Sequence, residues 1–147
     1  MFLSAAKCPE VRSKALMNLA MVYLKQSEMN AANGNLPKAK DLVTKAAENL
    51  EDSKRLLDEV MKKGSITDDE KRYIQQFRPL RIQCHRLSGS VLFGMKDLDA
   101  CEKEFRTATE NFPDIQGPWE MLARVLELKG KSDEVALVRE TINQLKR

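Results

Sequence analysis

Residues 85–118 read HRLSGSVLFGMKDLDACEKEFRTATENFPDIQGP, and this stretch decides the fold. Leu87, Val91 and Leu92 keep one apolar face at helical spacing, and Gly94 ends that element. Asp97 starts the next, in which Cys101, Phe105 and Ala108 recur on one stripe before Pro113 stops it. The small residues Gly89, Cys101 and Ala108 let two helices approach closely, and the large Leu92 and Phe105 fill the space that remains. The stretch predicts two antiparallel helices joined by a short turn.

The same grammar extends both ways. Upstream, Val11 to Asn30 carries Leu16, Leu19, Ala20, Tyr23 and Leu24 on one stripe. Gly34-Asn35-Leu36-Pro37 is a turn, with Pro37 in the first turn of a long second helix bearing Leu42, Val43, Ala46, Leu50, Leu57 and Val60. Lys62-Lys63-Gly64 ends that helix with cations and a glycine cap. Thr67-Asp68-Asp69-Glu70 is a capping box opening a third helix, in which Pro79 predicts a kink rather than a break. Downstream, Pro118 opens a fifth helix with Trp119, Leu122, Ala123, Val125 and Leu126, and Gly130 closes it. Ser132 is expected to cap a sixth with Val135, Leu137, Val138, Ile142 and Leu145. No strand alternation persists anywhere. The expected fold is all-α, with three antiparallel helix pairs in one domain over 10–147 and a flexible terminus over 1–9.

Gly89, Leu92, Leu98, Cys101, Phe105, Ala108 and Pro113 form a spaced series, and Trp119, Leu122, Ala123, Leu126, Gly130, Val135 and Ile142 form a second. A third copy runs through Leu19, Ala20 and Tyr23 to Gly34, Leu36, Ala39, Val43 and Ala46. These series resemble the tetratricopeptide repeat, a helix-turn-helix unit of about 34 residues. In the middle copy His85 stands in the tryptophan slot, Ser88 in a leucine slot and Lys96 in the turn-glycine slot, and in the last copy Arg139 takes the phenylalanine slot. The first copy is seven residues longer between Tyr23 and Gly34, about two helical turns, so its hairpin is extended. The resemblance implies a right-handed array of about three helix pairs, TPR-like, whose first helices line a concave groove that binds a protein partner. The groove would be lined by Lys14, Met17, Met21 and Lys25, then Gln83, Arg86, Ser90 and Phe93, then Glu120, Arg124 and Glu127. One branch of the family holds chaperone carboxyl tails in a five-residue clamp. Here those slots read Met17, Met21, Leu87, Gly117 and Met121, which disfavours binding of heat-shock chaperone tails.

Composition bounds the function. The 147 residues suit one domain with a real core, and 42% apolar, 32% charged and 5% aromatic content fits a helical protein with long solvated faces. No stretch approaches the roughly 18–20 apolar residues of a membrane span. Three widely spaced cysteines, Cys8, Cys84 and Cys101, make no disulfide framework, so a reducing compartment, cytoplasm or nucleus, is expected. The N-terminus lacks the pattern of a secretory signal, while Lys7 with no acid before Glu10 leaves an organellar signal open.

Groups for catalysis are scarce. His85 is the single histidine, and its neighbour Cys84 points about 100° away on a helix, so the two form no nucleophile pair. His85 is expected at the surface or a groove edge. Zinc spacing, phosphate loops and nucleophile elbows are all missing, so no catalytic residue, metal or cofactor is expected. One charge feature exceeds background. From Lys71 to Lys96 there are six basic residues and no acid: Lys71, Arg72, Arg78, Arg81, Arg86 and Lys96. Three readings stay open. These cations pair with the acidic helix carrying Glu48, Glu51, Asp52, Asp58 and Glu59, or they form a basic surface for an acidic peptide, or they bind RNA or DNA with Tyr73, Phe77 and Phe93 as stacking rings. The net charge of +3 is too small to require nucleic acid. The expected function is non-catalytic protein binding in a groove by an adaptor or assembly subunit. Self-association end to end in a larger helical array is the alternative, and nucleic-acid binding through 71–96 is the third.

Overall fold

The structure, a computed structural model, describes residues 9–62 and 68–147. The terminus over 1–8, Cys8, the Lys63-Gly64 stop and the Thr67 half of the capping box lie outside the described residues. Within them the chain is all-helical and contains no strand. The helices are α1 (Pro9–Ala32), α2 (Leu36–Lys62), α3 (Asp68–Gly94), α4 (Leu98–Asn111), α5 (Gln116–Leu128) and α6 (Ser132–Lys146). Pro9 occupies the first position of α1, where its missing N–H costs nothing. Pro79 is carried inside an unbroken α3. The chain divides into two compact units between Cys84 and His85, within α3.

The first unit is built on the pairing of α1 with α2. Ser13 and Ser53 face each other with hydroxyl oxygens 2.8 Å apart, and the Ser27 hydroxyl donates to the Ala39 carbonyl at 2.6 Å. Both contacts belong to one antiparallel register, which sets Ala20 opposite Ala46. Ala20, Ala39 and Ala46 are fully buried, so the two backbones run close together, with Leu24 and Leu50 filling the seam. Each of those leucines contributes about 1.5–3 kcal/mol of burial. The buried face of α1 is therefore Ser13, Met17, Ala20, Leu24 and Ser27. This corrects the expected stripe. Leu19 is exposed, because two serines that bond across the seam displace the face from the most hydrophobic line. From α3, the Cys84 thiol donates to the Val43 carbonyl at 3.8 Å.

The second unit holds the end of α3 with α4, α5 and α6. Leu92, Cys101, Phe105, Leu122, Leu126 and Val138 form its core, with Trp119 and Met121 packed at the side. Asp97 caps α4, its carboxylate accepting from the Ala100 N–H at 3.1 Å. Ser132 is the first residue of α6 and makes no cap bond; Lys131 holds the cap position, so the expected serine cap is corrected.

Three of the helix-to-helix turns, α1–α2, α3–α4 and α5–α6, share one hydrogen-bond pattern. Asn35 N–H donates to the Asn30 carbonyl, Asp97 N–H to Leu92 and Lys131 N–H to Leu126, at 2.8–3.0 Å. In each turn the residue just before the donor has positive φ: Gly34 at 82°, Lys96 at 63° and Gly130 at 76°. This is the glycine-type helix stop, repeated three times, once without the glycine.

Candidate functional site

Within the second unit, α3, α4 and α5 enclose a pocket of about 140 Å³. Gly89, Cys101, Phe105, Met121 and Val125 line its apolar interior, and Ser90, Phe93 and Arg124 stand around it. Gly89 makes this geometry possible. A Cβ there would fall 2.1 Å from the Phe105 ring, so only a bare backbone lets that ring lie under α3. The Cys101 thiol donates to the Gly89 carbonyl at 3.3 Å and ties α4 to α3 at the same level. Burial, followed by the charges of Glu104 and Asp97, pushes this thiol upward from its ordinary value.

Ser90, Phe93 and Arg124 are expected in the groove, and the pocket brings them together. Phe93 is half exposed. The Ser90 hydroxyl and the Arg124 guanidinium make no hydrogen bond or ion pair with the described residues. Four other cations of this unit are engaged: Arg106 with Glu102 and Glu134, Lys129 with Asp99 and Glu102, Lys131 with Glu102, and Arg139 with Glu127. Arg86 is exposed one turn before Ser90 on the same face of α3.

Arg124 also borders a larger cleft of about 610 Å³ between α5 and α6. Ala123 and Ile142 form its floor, Glu120 and Glu127 stand on the α5 wall, and Arg139, Asn143 and Lys146 stand on the α6 wall. Three expected groove residues, Glu120, Arg124 and Glu127, thus meet in this second concavity. Glu120 accepts from the Gln116 amide at 2.5 Å.

A cluster of charges fixes α5 beside its neighbours. The Glu102 carboxylate on α4 accepts from Arg106 Nε at 2.8 Å, Lys129 Nζ at 2.8 Å and Lys131 Nζ at 3.1 Å. Hydrogen bonds from Lys129 and Arg106 lead the causes that hold it down to about 2. The hydrogen bond that Lys129 donates to Asp99, then the one it donates to Glu102, raises its ammonium above the ordinary lysine range.

His85 is not at the surface as expected. It is 5% exposed, its Nδ1 lies 3.4 Å from Glu104 Oε2, its Nε2 lies 3.5 Å from Asn111 Nδ2, and the Phe112 ring meets it edge-on at 6.2 Å. Trp119 on α5 donates Nε1–H to the Pro113 carbonyl at 2.9 Å. The imidazole is a buried, packed group held by the α4 groups around it.

The remaining expected site residues belong to the first unit. Lys14, Met21 and Lys25 are exposed on α1, but Met17 is 2% exposed, packed in the core and closed to a partner. Gln83 Nε2 donates to Glu28 at 3.2 Å. Of the basic surface, Lys71, Arg72 and Arg78 are exposed. Arg81 is not free: it donates to Glu51 at 2.5 Å and reaches the Ala47 carbonyl at 3.5 Å, so part of the basic stretch does pair with the acidic helix.

Sequence reading missed the interior of the small pocket, where Met121 and Val125 look across at Gly89 and Phe105. The available signal was the spacing of Met121, Arg124 and Val125 on one face of α5. No family model matches this chain, and no curated protein matches it.

Proposed function

We propose that this chain is a non-catalytic protein-interaction module, an adaptor or assembly subunit. Its helix pairs form a divergent tetratricopeptide-like array, and the second unit holds a partner peptide or helix. A partner's apolar side chain enters the 140 Å³ pocket beside Phe93 and Met121, and a partner carboxylate bonds Arg124, with Ser90 as a further hydrogen-bonding group. Apolar cavities of about 150 Å³ take a ring the size of benzene, which sets the scale of the anchor.

The observation that carries this reading is the pocket itself: an apolar interior with two polar rim groups left without partners among the described residues. The repeat reading is supported by the three matching turns and by the single repeat length that separates Lys96 from Gly130. A non-catalytic role is supported by the burial of His85 against Glu104 and by a buried Cys101 thiol pushed upward from its ordinary value.

The test is affinity capture with wild type and with Arg86→Glu/Arg124→Glu, helicity being checked by circular dichroism. Partners enriched by wild type and lost in the variant are expected. An identical partner set from both proteins refutes the assignment.

A further inference from the structure

The cleft between α5 and α6 repeats a seat that the chain fills elsewhere. Gly89 and Phe105 stand one repeat length before Ala123 and Arg139. In the earlier seat Met121 and Val125 of α5 come down beside Gly89 and Phe105. In the later one the phenylalanine position holds Arg139, which pairs with Glu127, and the seat is an open cleft of about 610 Å³. The floor of Ala123 and Ile142 is 3% and 6% exposed. Arg124 on one wall and Lys146 on the other have no anionic partner among the described residues. Most of the lining is polar, unlike the apolar lining of a small-molecule site. A groove between two antiparallel helices instead suits a third helix that brings a narrow apolar contact and carboxylates.

The opposite face of α6 has that composition. Leu137 is 71% exposed, and Asp133 and Glu140 lie one turn to either side of it on the same face, with no ion pair among the described residues. The two acids are about 10 Å apart along the helix. Arg139 and Lys146 leave α6 on the cleft side, so this one helix is basic toward the cleft and acidic away from it. Exposed apolar residues on α1 have no such acids around them: Leu19, Val22 and Met29 lie near Lys25.

We infer that this chain associates head to tail, the outer face of α6 in one copy docking in the α5–α6 cleft of the next. Leu137 covers Ala123 and Ile142, while Asp133 and Glu140 meet Arg124 and Lys146. The two surfaces differ, so the contact is heterologous and each added copy leaves a fresh cleft and a fresh α6 face. This site shares Arg124 with the pocket beside Phe93 and is otherwise lined by different residues.

The test is sedimentation velocity on the full chain from about 1 µM to about 1 mM, at low and high salt. Mass should rise with concentration past the dimer and fall back at high salt. Asn143→Glu/Lys146→Glu spoils only the cleft, and Asp133→Lys/Leu137→Glu/Glu140→Lys spoils only the outer face. All five positions are exposed, and circular dichroism checks that both variants fold. Each variant alone should be monomeric, with the dissociation constant raised at least tenfold. Mixed, they should form a one-to-one dimer and nothing larger, because one intact cleft and one intact face remain. Monomer at every concentration in wild type, a closed dimer, association surviving in either variant, or a mixture that stays monomeric would each overturn the inference. Arg124 and Phe93 are unchanged in both variants, so partner capture through the small pocket is judged separately.

Discussion

Gly89→Ala is the substitution that most directly probes how the second unit is packed. Two effects oppose each other. In a helix interior alanine is favoured over glycine by about 1 kcal/mol. Against this, the new methyl would lie 2.1 Å from Cζ and 2.7 Å from both Cε atoms of Phe105, far inside ordinary contact. The ring is 2% exposed and sits in the core with Leu92, Cys101 and Leu122, so it can yield only by moving toward the pocket it lines, at the cost of its contacts with these neighbours. Overpacking of this kind costs about 1–3 kcal/mol, occasionally more, and an overlap this deep belongs at the upper end. The net expectation is destabilisation by about 2 kcal/mol. In urea the midpoint should fall at constant m, measured by far-ultraviolet circular dichroism. A double-mutant cycle with Phe105→Leu isolates the cause. Phe105→Leu alone opens space and costs stability, but Gly89→Ala added to it should be neutral or stabilising, because the methyl then has room and its helix preference is expressed. If Gly89→Ala is neutral in wild type, or costs the same in both backgrounds, then the close approach of α3 to the Phe105 ring is wrong. The pocket built on that approach would fail with it.

Other outcomes follow from single sites. Lys96→Gly should stabilise the chain by about 1 kcal/mol, since a lysine at φ 63° bears a steric cost that glycine does not; a lower urea midpoint would refute this. Glu102→Gln should cost about 1–2 kcal/mol by removing three charge-assisted bonds, each discounted for its partial exposure. The folded carboxylate sits near 2 against an ordinary 4.5, so its contribution is complete above about pH 4.5 and is lost as pH falls toward 2. Urea midpoints of wild type and Glu102→Gln should therefore converge over that window and stay apart at pH 7. His85→Ala should cost about 2–3 kcal/mol through the cavity beside Phe112 and the lost contacts of Glu104 and Asn111, whereas a surface histidine would cost almost nothing.

Much of the fold was legible because the deciding signals are local or fall at one fixed interval. Helix periodicity, the Asp97 cap and the turns at Gly34 and Gly130 depend on residues within one or two turns of each other, and the structure keeps each of them. The errors have a common physical source. Binary patterning assigns the core by hydrophobicity, yet α1 and α2 meet through Ser13, Ser27, Ser53 and three alanines, because closeness there matters more than apolar area. Leu19, core by its pattern, is left outside by the same displacement. His85 was misplaced because Glu104 and Asn111 are 19 and 26 residues away and no short spacing connects them.

The candidate site was half legible for a related reason. Ser90 and Arg124 were both expected in the groove, and both line the small pocket. What a repeat reading cannot supply is whether a given seat is filled or open, since that depends on single substitutions in the register. Phe105 with Gly89 packs the earlier seat down to a pocket of about 140 Å³, while Arg139 with Ala123 leaves the later one as a charged cleft of about 610 Å³. Met121 and Val125 of α5 cover the earlier seat, no described element covers the later one, and the exchange of a ring for a guanidinium adds charge to the open seat. On the two proposals above, the seats would select different occupants, an apolar anchor in the first and a carboxylate-bearing helix in the second. Arg124, on the edge of both, is the residue whose charge each occupant has to satisfy.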